Sequence, residues 1–544
     1  MKKNSGYADK GIFLVICLYL LLVGRHFFVP ISPDEISTFI SSLRIAQGLK
    51  PFFFHSPLIY YFLYIFQKAI PLDPVLSSRL MIVLVQFVMI FLVYRIMKLT
   101  GMAKLFIYFI LLFMISPLGV TGALAIDIDN SLLCVMLLAF SYYLIKIIEQ
   151  KDKPGIDYIL CIVFFALSLW TKLTTPIFFS GVFLSVILCN RSLRNRILTF
   201  TNLFILGGGL FIFSLYLFSK FFDWNFLEPF LNILGRFNNS FASPLSSPLV
   251  NLTKNVLFLG VWASPFALLL LIFVIKRSLD SDFPPSVYIF ISFVYCAVFY
   301  LCFTFVAFGY PKYSFTSLVF LILFLLYFLQ EEPLREYFTW IAFLVFVFLP
   351  FGDPILDLRF GLRDCFARQS HCNLLLFAIK PTLYLTIFLL LYFLLKFKTK
   401  TQNTFLLSIF ISMISYNVSL NINQMFSIYS TNYSYGETGL YEVAKYIKPR
   451  IDINESVIAP LHLVYYLGRM DLNDFNTIYN TDWEDKDNFF RMISSHANKF
   501  LVLSVASNSI KTYDLLKQAD IKDYLEENFI YHRIGSFDIW QRKQ

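Results

Sequence analysis

Long apolar runs alternate with short polar connections over most of the 544-residue chain. A helix needs about 20 apolar residues to cross the hydrocarbon core of a bilayer, and by that length the pattern predicts about 13 spans. The predicted spans are 11–31, 75–97, 104–124, 130–148, 157–171, 173–189, 197–219, 254–275, 284–308, 314–329, 336–350, 376–395 and 403–421. The predicted fold class for residues 1–421 is therefore an all-α polytopic membrane domain.

The pattern changes in the last part of the chain, residues 422–544. Short apolar runs at 456–459 and 500–505 are interleaved with helix-like stretches at 436–447 and 512–518. Such alternation, over a segment of ordinary domain size, predicts a small C-terminal α/β domain.

Basic residues orient the predicted spans. Cytoplasmic loops carry an excess of Lys and Arg, and here the clusters fall in every second short connection. The clusters are Arg95, Lys98 and Lys104; Lys146, Lys151 and Lys153; Arg191, Arg194 and Arg196; Lys276 and Arg277; and Lys396, Lys398 and Lys400. With the N-terminus in the cytoplasm, the long segments 32–74, 220–253 and 351–375 and the C-terminal domain all lie on the outer face.

Composition supports a protein that lives in the lipid bilayer. Hydrophobic residues make up 58% of the chain and charged residues only 15%, whereas soluble domains carry about 25% charged residues. The net charge of +10 lies mainly in the short clusters between spans, so we predict no nucleic-acid partner. Cys365 and Cys372 share a predicted outer loop, and an oxidising compartment would favour a disulfide between them.

Two acids stand directly after the first predicted span, in the sequence Pro33-Asp34-Glu35. A partly desolvated carboxylate at the membrane interface can act as a general base toward a hydroxyl group. Alternatively, both acids simply occupy the first turn of a helix, where the helix dipole favours negative charge. The rest of this first outer loop, residues 32–74, is apolar and aromatic, which predicts one or two short helices along the membrane surface.

A second acidic cluster, with Asp127 and Asp129, follows the third predicted span on the same face. Its Asp-x-Asp spacing suits a divalent metal. It also suits capping of the next helix by Asp129 or Asn130, and spacing alone does not separate the two. Acids at two membrane exits on one face nevertheless favour a shared cavity, because ionisable groups at membrane level usually face a cavity or a partner.

These motifs resemble the GT-C class of membrane glycosyltransferases, which use sugars linked to polyprenyl phosphate. The most similar families are the protein O-mannosyltransferases and the bacterial transferases that add aminoarabinose or galacturonic acid to lipid A. They carry Asp-Glu in the first outer loop, as at residues 34–35, followed by a His- or Lys-Pro-Pro-Leu element and aromatics. Residues 55–61 read His-Ser-Pro-Leu-Ile-Tyr-Tyr. Family Thr-Lys and Lys-Tyr elements resemble residues 171–172 and 312–313.

Two positions depart from the family patterns. Ser56 replaces the first proline of the Pro-Pro pair, and Ser37 stands where the aminoarabinose transferases carry a basic residue. The second departure sets this chain apart from the aminoarabinose family more than from the class as a whole.

The resemblance implies an inverting transfer of a sugar to an envelope acceptor (lipid A, a glycan or a protein) on the outer face of a bacterial inner membrane. It makes Asp34 the general base, with Glu35, Asp127 and Asp129 to orient it, hold the sugar or bind a metal. The resemblance implies no required metal, although a divalent ion at the second acidic cluster is the alternative. The predicted donor- and phosphate-binding residues are His55, Lys172, Arg236, Lys312 and Tyr60.

Each of these predictions has a plainer alternative. Basic side chains often end spans by reaching toward water, and tyrosines often populate the interfacial belt. At the level of the whole protein, the alternatives are a membrane transporter or flippase, or a non-catalytic envelope assembly protein. Transporters often show paired repeats with broken helices, and the sequence has no evident paired repeat.

Overall fold

The computed structural model describes residues 27–50, 57–149, 155–231, 283–303, 312–330, 437–470, 485–504 and 510–543, apart from short breaks, with residues 431–432 and a few before 27. Several predictions fall outside the described residues. They concern His55, Arg236, Cys365, Cys372, the spans 254–275, 336–350, 376–395 and 403–421, and most of the span 11–31.

A series of helices between residues 33 and 329 precedes the C-terminal domain. They are α1 Pro33–Ala46, α2 Leu58–Ala69, α3 Pro74–Leu99, α4 Phe106–Phe109, α5 Pro117–Leu124, α6 Leu132–Glu149, α7 Ile156–Thr171, α8 Thr174–Cys189, α9 Arg191–Arg194, α10 Ile197–Phe221, α11 Val287–Phe303 and α12 Phe315–Leu329. Short 3-10 turns precede α4 and α12, and a π-helical turn, Ile110–Met114, follows α4.

Three of these helices, α3, α6 and α10, are long and apolar enough to cross a membrane, and a bent pair of helices would make a fourth span. Four others, α7, α8, α11 and α12, are apolar but shorter. Each of these helices falls where the sequence predicted a span, with ends shifted by a few residues. The total of about 13 spans stays a prediction.

The predicted span 104–124 is broken rather than continuous. The segments Ala103–Met114 and Leu118–Leu124 meet at an angle of 76°. Pro117 opens α5, and the Ser116 hydroxyl caps it by accepting a hydrogen bond from the Gly119 amide at 2.9 Å. Proline has no amide hydrogen and clashes with the preceding turn, so the chain restarts here in a new direction and leads into the acidic loop at 125–131.

The helices pack through closely fitted aromatic side chains. Helix α6 contacts α3 and α7, α7 contacts α10, and α8 contacts α11, which in turn contacts α12. Phe293 of α11 lies between two rings, with its centroid 4.1 Å from that of Phe179 and 3.9 Å from that of Phe320. Aromatic pairs contribute about 0.5–1.5 kcal/mol beyond the area they bury, so this stack links three helices.

Gly207 allows α10 to approach α7 closely, which gives a test of this packing. A Cβ atom at Gly207 would lie 2.7 Å from Phe165 Cδ1 and 3.2 Å from the Ile162 carbonyl oxygen. We expect Gly207→Ala to destabilise the protein by about 1–3 kcal/mol through overpacking. The matched control is Gly209→Ala in the same helix, where nothing lies within 4 Å. Thermal unfolding in detergent should show a lower midpoint for the first variant only.

The C-terminal domain contains a four-stranded sheet with helices on both faces. Its elements are β1 Thr431–Asn432, β2 Glu437–Thr438, α13 Leu440–Ile447, β3 Ser456–Ile458, α14 Leu461–Leu467, α15 Lys486–Ser494, β4 Asn498–Ser504, α16 Ile510–Leu515, α17 Ala519–Asn528, β5 Phe529–Ile534 and β6 Phe537–Arg542. The strand order is β3-β4-β6-β5, with β3 parallel to β4 and the other pairs antiparallel. The predicted α/β domain is confirmed.

Two hydrophobic cores lie on the two faces of this sheet. One face packs on α15, α16 and α17 through side chains such as Leu501 and Leu503 of β4. The other packs on α13 and α14 through Phe500 and Val502 of the same strand. This alternation along β4 is the period-two pattern of a strand buried on both faces. Helix α14 also contacts α1, so the domain rests directly on the helix that carries Asp34.

Candidate functional site

The acid pair opens helix α1. Ser32 and Glu35 form a capping box, in which the Ser32 hydroxyl accepts a hydrogen bond from the Glu35 amide at 3.2 Å. In return, Glu35 Oε2 accepts a hydrogen bond from the Ser32 amide at 2.6 Å. Pro33 is the first helical residue, as the sequence predicts, because its fixed φ suits that position. Asp34 therefore lies in the first turn, where the helix dipole favours a carboxylate.

Glu35 joins the first outer loop to the second acidic cluster. Its side chain is buried, and Oε1 accepts a hydrogen bond from the Ile126 amide at 2.9 Å. The same oxygen lies 3.8 Å from the Arg79 guanidinium. These contacts give Glu35 a bridging position directly beside the loop that carries Asp127. Its predicted catalytic role alongside Asp34 stays a prediction.

The second acidic cluster consists of two ion pairs contributed by separate loops. The Asp129–Lys172 pair is buried, and in the Asp127–Lys312 pair the lysine is partly buried. Asp127 Oδ2 lies 2.8 Å from Lys312 Nζ. Asp129 receives Lys172 Nζ on both carboxylate oxygens, at 2.6 and 2.9 Å. The structure thus brings together four of the predicted site residues. They come from the loop before α6, the loop between α7 and α8, and the turn before α12.

Tyr313 completes this cluster as an aromatic wall. Lys172 Nζ lies 4.2 Å from the centroid of the Tyr313 ring, and Lys312 Nζ lies 5.8 Å from it. An ammonium over an aromatic face gains about 0.5–2 kcal/mol, the larger value applying when it is desolvated. The ring therefore helps to hold two positive charges close together at one end of the helix bundle.

Burial and charge act in opposite directions on the two acids. Burial works to raise the pKa of Asp127, but the charge and hydrogen bond of Lys312, with the Asp129 amide, hold that pKa below its usual value. Burial raises the pKa of Asp129 and lowers the pKa of Lys172, although each group stabilises the charge on its partner. Buried ionisable groups whose pKa values are shifted by specific charged partners are typical of functional sites.

The capping interpretation of this cluster is wrong for the described residues. Helix α6 begins at Leu132, and the Asp129 carboxylate is taken up by Lys172. The Asn130 amide donates backward instead, to the carbonyl oxygens of Gly122 at 2.7 Å and Ala125 at 2.9 Å. The loop 125–131 is thus fixed by its own side chains in the shape that presents both carboxylates.

The other predicted donor- and phosphate-binding residues are Tyr60, His55 and Arg236. Tyr60 is buried within the core of the helix bundle, in α2. His55 and Arg236 lie outside the described residues. In the described part of the chain, no group of three or more His, Cys, Asp or Glu side chains could hold a metal ion. The divalent-metal alternative at Asp127 and Asp129 stays a prediction.

Sequence reasoning missed Arg79 and Gln86, which hold the site from α3. Arg79 is 1% exposed and donates to the carbonyl oxygens of residues 27, 29 and 30. The Gln86 amide donates to the Gly122 carbonyl oxygen at 3.0 Å and to that of Asn130. The available signal was a polar side chain inside an apolar helix, since such residues usually face a cavity or a partner.

Comparison with known proteins identifies a shared fold. No family model matches the chain, and no curated protein is significantly similar in sequence. Among solved structures, ArnT from Cupriavidus metallidurans bound to undecaprenyl phosphate is similar with a TM-score of 0.54 and 12% identity, covering 99% of this chain and 98% of ArnT. The apo form of that ArnT gives a TM-score of 0.51 at 12% identity, covering 98% of both chains. The chain thus has the ArnT fold over nearly its whole length, which confirms the GT-C-like fold that the sequence resemblance implied.

Proposed function

We propose that this protein is an integral membrane glycosyltransferase that moves a sugar from a polyprenyl-phosphate donor to an envelope acceptor. The observation that carries the proposal is the largely buried cluster of Asp127, Asp129, Lys172 and Lys312, joined through Glu35 to the segment with Asp34. The ArnT fold supports the same chemistry, because one of the similar ArnT structures holds undecaprenyl phosphate.

In the proposed reaction, Asp34 accepts the proton of the acceptor hydroxyl. The hydroxyl oxygen then forms a bond to the anomeric carbon, and the bond between that carbon and the phosphate oxygen breaks with inversion. Its electron pair stays on the departing polyprenyl phosphate. A positioned general base contributes about 10²- to 10⁴-fold to such a step.

The leaving phosphate gains negative charge in the transition state. Preorganised positive groups in a water-poor site stabilise developing charge more strongly than the same groups in water. We propose that Lys172 and Lys312 provide this charge, with His55 and Arg236 as further candidates. Asp129 and Asp127 then hold the two ammonium groups in place. Because a lysine is paired with each carboxylate, we propose that these cations serve in place of a resident metal.

The proposal includes a location. The predicted topology puts the N-terminus in the cytoplasm and the C-terminal domain on the outer side of a bacterial inner membrane. The donor would then reach the site from the outer leaflet. The acceptor would be lipid A, another glycan or a protein.

Reconstitution tests the reaction class. Purified protein in proteoliposomes would receive undecaprenyl phosphate carrying a labelled sugar, together with extracted envelope acceptors. We expect label to pass to an acceptor while free undecaprenyl phosphate appears in equal amount. A flippase would move the intact donor between leaflets without releasing phosphate lipid, and an assembly protein would do neither. Either of those results contradicts the proposal.

The same question can be asked in cells. A strain lacking this protein should lose one sugar decoration of its envelope and accumulate the corresponding polyprenyl-phosphate sugar. The missing decoration would also identify the donor sugar and the acceptor. An unchanged glycan and lipid profile would count against a transferase role.

A further inference from the structure

Five of the six residues that lead into helix α1 are held by side chains from distant parts of the chain. Residues 27–32 pass from the end of the first predicted span to the capping box before Asp34. Each of them has a backbone group that is hydrogen-bonded by a side chain. We call residues 27–32 the exit segment.

One anchor of the exit segment comes from the membrane domain. Arg79 of α3 donates to the carbonyl oxygens of Phe27 at 2.8 Å, Val29, and Pro30 at 3.2 Å. Its guanidinium also faces Glu35, one turn into α1. A buried planar guanidinium that serves several acceptors fixes both position and orientation.

The second anchor comes from the C-terminal domain. The Tyr441 hydroxyl donates to the Phe28 carbonyl oxygen at 2.9 Å, and the Tyr466 hydroxyl accepts from the Ile31 amide at 3.0 Å. The two tyrosine rings also meet edge to face, with centroids 5.1 Å apart. Two packed tyrosines of the C-terminal domain therefore bind the exit segment at Phe28 and at Ile31.

These tyrosines are well suited to a permanent structural contact. Burial raises the pKa of both hydroxyls above the usual tyrosine value, so they stay protonated at physiological pH. Beside them, the Tyr465 ring packs edge to face on Phe39 of α1, with centroids 5.3 Å apart. The C-terminal domain therefore contacts both the exit segment and helix α1, which follows it.

We propose that Tyr441 and Tyr466 are positioning residues of the transferase, through which the C-terminal domain sets the place of Asp34. This inference rests on the proposed function for its catalytic consequence. The physical reason is the short distance along the chain. Ile31 is three residues before Asp34, so a displacement of the exit segment would also displace the first turn of α1. A shift of about 1 Å at a catalytic group can reduce the rate by about 100-fold.

Phenylalanine variants test the proposal with little disturbance of packing. Tyr466→Phe and Tyr441→Phe keep the rings and remove the hydroxyls that hydrogen-bond to the backbone of the exit segment. The matched control is Tyr465→Phe, because the Tyr465 ring also packs on this interface but its hydroxyl makes no hydrogen bond within the described residues. We expect kcat to fall about 10- to 100-fold in the Tyr441/Tyr466 double variant, with KM for the donor unchanged.

Hydrogen–deuterium exchange supplies a readout that does not depend on activity. We expect faster exchange in a peptide covering residues 27–40 of the double variant, with unchanged exchange in the sheet of the C-terminal domain. Tyr465→Phe should match the wild type in both measurements. Unchanged exchange in the double variant would contradict the anchoring of the exit segment by the two tyrosines. Faster exchange with wild-type kcat would contradict their role in positioning Asp34. If the wild-type protein transfers no sugar, the proposed function fails. The exchange measurement alone then tests whether the two tyrosines anchor the exit segment.

Discussion

Asp34→Asn is expected to abolish sugar transfer, with a loss of about 10²- to 10⁴-fold in kcat, while the protein still inserts and folds normally. The amide is close in size to the carboxylate and can occupy the same helical turn, but it cannot accept the proton of the acceptor hydroxyl. The measurement is the initial rate of label transfer in proteoliposomes at saturating donor. Retained activity would remove Asp34 from the role of general base.

The same outer loop offers a control with identical chemistry. Asp73 caps α3, and its Oδ1 accepts from the amides of Val75 at 2.9 Å and Leu76 at 3.3 Å. Asparagine caps helices about as well as aspartate, so Asp73→Asn should retain both stability and transfer. If both variants lost activity equally, the loss at Asp34 would reflect charge in the loop rather than proton transfer.

The acid pair was accessible to sequence reasoning because its structure is local. Ser32 and Glu35 are three positions apart, which is the spacing of the capping box that they form. The same holds for the apolar helices, whose bounds follow the hydropathy pattern closely. The break at Pro117 carried a local signal too, yet apolarity on both sides made the segment resemble a single span.

The pairing within the second cluster was not accessible in the same way. Asp127 and its partner Lys312 are separated by 185 positions, and Asp129 and Lys172 by 43. From spacing, the acids fitted a helix cap, a metal site or a cavity equally well, and only tertiary contacts separate these cases. The family resemblance marked all four residues but said nothing about which lysine meets which acid.

The C-terminal hairpin shows a different limit. The strands β5 and β6 lie in a sequence without a clear apolar alternation. Three of the six β5 residues are exposed and only Phe529 is buried. The two-residue turn contains Gly535 at a φ of 57°, a conformation that glycine adopts without strain. β6 is a central strand because β4 and β5 pair on its two sides, and that pairing is a property of the sheet rather than of the segment.

Lys172→Met is expected to destabilise the protein by about 3–5 kcal/mol, because it leaves the Asp129 carboxylate buried without its partner. The control is Lys146→Met, which breaks a Lys146–Asp157 pair of the same 2.6 Å length whose side chains are 26% and 14% exposed. This control pair is partly exposed, and ion pairs nearer to water contribute less than buried ones, so the control should lose clearly less stability than Lys172→Met. Equilibrium unfolding in mixed detergent micelles gives both values.

Combining Lys172→Met with Asp129→Asn separates structure from catalysis. Removing both charges relieves the unpaired carboxylate, so most of the lost stability should return. Transfer should not return, because the leaving phosphate would still lack the Lys172 ammonium, whose electrostatic contribution we expect to be about 100-fold in kcat. Recovery of both stability and rate would assign Lys172 to the fold alone. Recovery of stability without rate would make the pair a means of holding, in a buried site, the positive charge that the departing phosphate needs.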